Sequence, residues 1–115
     1  MKLKLGIIVG SNEPLAKLMT SSVPISTAFR LKEVLKKVQE VLGSYDETRK
    51  ELIEKYGKDG EIEPNSKNWQ KFVDEMNELL MTETDVKVKK ISQSSLSKVE
   101  ISASDISALE WLIEE

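Results

Sequence analysis

The sequence predicts one α+β domain over residues 1–115: a long antiparallel helical hairpin, a small antiparallel β-sheet and a C-terminal helix. Three observations predict it. Leu31, Leu35, Val38, Leu42, Tyr45, Arg49, Leu52 and Tyr56 follow one another at alternating spacings of four and three, an unbroken heptad seam. Trp69, Phe72, Val73, Met76, Leu79 and Leu80 form a second apolar helical face just beyond a polar loop. Short period-two alternations stand on either side of that pair.

The first alternation is Leu3, Leu5 and Ile7 against Lys2, Lys4 and Gly6, continued by Ile8 and Val9, and it reads as a half-buried strand. Gly10-Ser11-Asn12 ends it. Asn12-Glu13-Pro14 then opens a short helix with Leu15, Leu18 and Met19 on one face. Thr20 to Pro24 punctuates the chain. Pro24 suits a helix start and Gly57 a helix stop, so the long helix is expected from Ser26 to Tyr56. At 1.5 Å per residue that helix is about 46 Å long. Gly43 lies within it, at a cost of roughly 1 kcal/mol against alanine. Arg49 is unusual in an apolar seam and is expected at its rim or beside an acidic neighbour.

Gly57 to Pro64 is a loop by composition. Asn65 or Ser66 caps the second helix, Ser66 to Met81, and the short loop makes it antiparallel to the first. Val86 and Val88 alternate with Asp85, Lys87 and Lys89 as a strand. Ser92 to Ser95 reads as a turn, with Leu96, Val99 and Ile101 in a further extended segment. Ser102 with Asp105 three residues on marks an N-cap, flanked by Ile101 and Ile106 at hydrophobic-staple positions. The last helix is expected to carry Ile106, Leu109, Leu112 and Ile113.

Composition removes whole classes of chemistry. The chain has no cysteine and no histidine, which excludes disulfides, thiolate nucleophiles, the usual zinc sites and every histidine-based catalytic arrangement. Apolar residues make up 39% and charged residues 32%, polar for a globular domain yet too apolar for a disordered one. No run approaches a membrane span, and the first residues are too interrupted for a signal peptide, so a soluble cytoplasmic protein is expected. Net charge is +3 over residues 1–30, zero over 31–60 and −6 over 61–115. A net acidic chain with two arginines does not suit nucleic acid, whose binding is dominated by phosphate neutralisation.

No motif assigns a catalytic residue. Gly6 to Asn12 has the outline of a phosphate loop but fits neither the dinucleotide nor the Walker pattern. Asp74, Glu75 and Glu78, and the pair Glu110 and Glu114, are read as solvated helix faces. Ser95 and Lys98 match a Ser-x-x-Lys spacing in a turn and have no partner set. Serine clusters fall at turns and caps, where serine is structurally favoured. No catalytic, metal or cofactor-binding residue is therefore expected.

Several segments taken together resemble a family of small proteins of unknown function encoded by phages and prophages of Gram-positive bacteria. They are Val23-Pro24 before Ala28, Leu31 and Leu35; Tyr45 to Gly57; Glu78-Leu79-Leu80 before the valine-rich segment; and Ile101 to Asp105 before Leu109-Glu110. The resemblance implies a phage context and a bacterial host cytoplasm. In that context the reading is a non-enzymatic protein-binding module that engages a phage or host protein. The alternatives are an inhibitor of a bacterial defence system acting by occlusion and, behind it, a small-molecule or nucleotide binder.

The partner surface is expected on the N-terminal half of the long helix. The second helix can cover only the C-terminal half, which leaves an apolar stripe of Phe29, Leu31, Val34, Leu35 and Val38 with few intramolecular covers. Self-association through this stripe is the other expectation, with Phe29 and Val34 central to either.

Overall fold

In the computed structural model, which describes all residues 1–115, one helix sets the dimensions of the molecule. This helix, α2 (Ile25–Tyr56), has 32 residues. Its length of about 48 Å matches the longest molecular extent of 49 Å. The other elements are β1 (Lys2–Lys4), α1 (Leu5–Met19), α3 (Lys67–Met81), β2 (Glu83–Asp85), β3 (Ile91–Ser92), α4 (Ala103–Ala108) and β4 (Ile113–Glu114), with a short 3₁₀ turn at Gln93–Leu96; α1 and α3 pack along the long helix. No helix is long and apolar enough to cross a membrane.

The expected α+β architecture is present, with the helical hairpin, a two-stranded antiparallel sheet and a C-terminal helix. The long helix spans the predicted range to within one residue. The loop after it contains a tight reversal at Lys58–Glu61, where Asp59 and Gly60 both have positive φ, as an Asp-Gly turn of the primed kind requires. Ser66 caps α3, its Oγ accepting from the Trp69 N–H at 3.0 Å. Lys55 and Glu75 form an exposed ion pair across the two helices, 3.7 Å apart.

The N-terminal segment departs from the sequence expectation. The strand ends at Lys4, and residues 5–19 are helical rather than extended to Val9. The reason is that Leu5, Ile8, Ser11, Leu15 and Leu18 are all buried, a face at helical spacing with a serine in its middle. Ile7, which completed the period-two pattern, is 43% exposed. Pro14 sits inside this helix and gives up one intrahelical bond, to the carbonyl of Gly10.

The seam of α2 is also rotated. The buried stripe is Thr27, Leu31, Val34 and Val38, continued by half-buried Val41, Tyr45, Thr48 and Leu52. Leu31, Val38, Tyr45 and Leu52 belong to both this frame and the predicted one. Leu35 and Leu42 lie on its flank, half-buried against the core, and Arg49 is exposed without an ion partner.

Helices α1 and α3 lie in tandem beside α2. The start of α1 meets the end of α3 where the Leu5 N–H donates to the Thr82 carbonyl at 2.8 Å. Packing of α1 and the C-terminal segment against residues 31–38 makes the core, which joins Leu3, Ile8, Leu15, Leu18, Leu31, Val34, Val38, Val86, Ile91, Leu109 and Leu112. No residue from 39 to 85 is fully buried, so the far part of the hairpin projects from this core as a two-helix arm.

The strands are shorter than expected and differently placed. Strand β2 pairs antiparallel with β1 in the register Leu3 to Thr84, and only as far as β1 reaches. Residues 86–90 are therefore not a strand, although Val86 is buried. Val99 and Ile101 form no strand either. The predicted capping box is present: Ser102 Oγ accepts from the Asp105 N–H at 3.1 Å and Asp105 Oδ2 from the Ser102 N–H at 3.4 Å. The helix it starts ends at Ala108 instead of continuing through Ile113. Leu109 to Leu112 turn, Ile91 N–H donates to the Leu112 carbonyl at 2.8 Å, and Ile113–Glu114 pair in parallel with Ile91–Ser92.

Candidate protein-binding groove

Of the five residues expected at a partner surface, three belong to the core. Leu31, Val34 and Val38 are fully buried under α1 and the C-terminal segment, and Leu35 is half-buried beside them. The N-terminal half of α2 is thus covered by its own chain. The physical reason is that α1 is a full helix of 15 residues, long enough to lie along the whole stretch. Phe29 alone remains outside, 63% exposed, next to Ile25 one turn earlier.

A concavity lies elsewhere, at the C-terminal end of the fold. It is a groove of about 860 Å³ between the 3₁₀ turn, the start of α4 and β4. Leu96, Val99, Ile101, Ile106 and Ile113 supply its apolar lining, and Gln93, Ser94 and Ser97 stand along it. Glu110, Glu114 and Glu115 complete the wall.

Each wall has a local cause. The capping box fixes the entry of α4, which brings Ile101 before the cap and Ile106 after it into the same groove. Asp105, whose side chain closes that box, also accepts from Lys17 Nζ of α1 at 2.9 Å. This ammonium, with the Ser102 hydrogen bonds, holds the Asp105 carboxyl below its ordinary value of 3.8. At the end of α4, Ser11 Oγ of α1 lies 3.2 Å from the Ala108 carbonyl and accepts from Trp111 Nε1 at 2.8 Å. Two polar ties therefore hold the groove segment on α1. Ser95 Oγ, donating to the Ser92 carbonyl at 2.7 Å, shapes the 3₁₀ turn.

The sequence pointed to parts of this site without assembling it. Glu110 and Glu114 were expected as neighbours on one helix face. The structure puts Glu110 in a turn and Glu114 in β4, and both line the groove. The serine clusters and the staple isoleucines were legible as turn and cap. Their convergence depends on the parallel pairing of β3 with β4, which leaves no local pattern.

The other chemical candidates do not assemble. Gly6 to Asn12 is helical, so it is neither a loop nor a turn. No three acidic side chains converge in a way that could hold a metal ion. Trp69 and Phe72 lie side by side on the arm, with ring centroids 5.7 Å apart and planes tilted by 38°. Near the hairpin tip, Tyr56 and the Glu75 carboxylate raise the Lys55 ammonium above its ordinary value. The chain matches no protein-family model, no curated protein and no solved structure.

Proposed function

We propose that the chain is a non-enzymatic protein-binding module and that the groove between residues 93 and 115 is its contact surface. The observation that carries this reading is the combination of volume and lining: about 860 Å³ bounded by five aliphatic side chains, open at the surface. Leu96, Val99, Ile101 and Ile113 rest half-buried on the core and Ile106 stands 48% exposed above them, so an apolar side chain seated between them would gain burial. The polar groups beside it are hydroxyls, an amide and carboxylates, with no base set against a nucleophile. Taken with the phage resemblance of the sequence, the partner in this proposal is a phage or bacterial host protein.

The test is affinity capture with the wild-type chain and with Ile106→Asp in parallel. Ile106 is 48% exposed, so the substitution leaves the core intact while charging the groove. Loss of a partner from the variant, with an unchanged melting curve, supports the reading. Identical capture by both proteins places the contact surface elsewhere and refutes it.

A further inference from the structure

The groove has a charge as well as a shape, and the charge narrows its occupant. Three carboxylates, Glu110, Glu114 and Glu115, line it, and no lysine or arginine does. None of the three is in an ion pair. From Val99 to Glu115 the chain carries five acidic residues and no basic one. Only Asp105 among those five is neutralised, by Lys17. Lys98, the nearest cation in the sequence, lines the neighbouring hollow beside Val23 and Pro24 instead.

An apolar lining edged by uncompensated carboxylates favours one kind of ligand. An acidic or neutral apolar segment would leave the three glutamates without partners, and an anionic membrane or nucleic acid would be repelled. A segment with aliphatic side chains for Ile101, Ile106 and Ile113, flanked by lysine or arginine, satisfies both features. We infer that the groove takes a basic, aliphatic-rich peptide segment of a partner protein. This rests on the protein-binding reading and adds the chemistry of the partner to it.

The test uses a displayed library of random peptides selected on the full chain, with Ile106→Asp as the counter-selection. The expected winners carry net positive charge and aliphatic residues. Binding of a labelled winner should weaken on the order of tenfold or more in the double variant Glu110→Lys, Glu114→Lys, and should weaken with added salt. A control double variant, Asp74→Lys with Glu78→Lys, changes net charge equally on the exposed side of α3 and should bind as the wild type does. Equal loss in that control would make the attraction one of net charge and overturn the inference. Winners that are neutral or acidic overturn it too, while the apolar groove and the protein-binding reading survive. An absence of winners also counts against it. So does a wild-type chain whose mass in light scattering doubles with concentration while Ile106→Asp stays monomeric, because a second copy then occupies the groove.

Discussion

Trp111 Nε1 donates a hydrogen bond of 2.8 Å to the Oγ of Ser11, a residue 100 positions earlier in the chain. Ser11 is fully buried, and its own proton is within reach of the Ile7 carbonyl at 2.7 Å and the Ala108 carbonyl at 3.2 Å. One small hydroxyl thus ties α1 to the segment that forms the groove. Ser11→Ala is expected to cost about 1–3 kcal/mol, because it leaves the indole N–H without its acceptor. Trp111→Phe should remove the same bond from the other side. Urea titrations of the two single variants and the double variant should show losses that do not add.

The frame of the α2 seam can be read from a pair of charge insertions. Val34→Glu buries an unpaired carboxylate in the core and is expected to destabilise by about 3 kcal/mol or more. Phe29→Glu, at a position 63% exposed, should stay within about 0.5 kcal/mol of the wild type. Thermal melts decide the matter, and equal melting of the two variants would contradict the observed frame.

Two glycines of the hairpin should respond in opposite directions. A Cβ on Gly43 meets no atom within 4 Å, and the residue lies inside α2. Gly43→Ala is therefore expected to stabilise by about 0.5–1 kcal/mol. A Cβ on Gly57 would stand 2.5 Å from the carbonyl oxygens of both Ile53 and Glu61. Gly57→Ala forces backbone to move and should destabilise by about 1–3 kcal/mol. Denaturant midpoints of both variants check this.

The Asp105–Lys17 pair makes stability depend on acidity. The native Asp105 carboxyl is held below 3.8, so its contribution is complete above that pH. The contribution declines as pH falls through the native value, where the folded carboxylate takes up its proton. Melting temperatures measured downward from about pH 5 should fall less steeply for Lys17→Met than for the wild type. A variant with the wild-type slope would show that the ammonium does not set the shift.

The sequence determined what repeats locally. The span of the long helix, a cap at Asn65 or Ser66 and the Ser102–Asp105 box each depend on residues close to one another in the chain. Periodicity and capping chemistry therefore reveal them without knowledge of the fold. It also excluded thiolate and imidazole chemistry outright, since the chain holds neither group.

Only the tertiary structure decided the rest. Ser11 interrupts the apolar face of α1, so the run from Leu5 to Leu18 does not read as one helix; its burial depends on a tryptophan at the other end of the chain. The seam of α2 offers two frames that share Leu31, Val38, Tyr45 and Leu52, and the choice between Val34 and Leu35 falls to the helix that packs there. Strand β4 is two residues long and exists because Ile91–Ser92 lies beside it. That pairing stops the last helix early and turns Glu110 and Glu114 from helix neighbours into walls of the groove. Hydrogen bonds and burial between distant segments are free energies of the whole chain, and no short window of residues contains them.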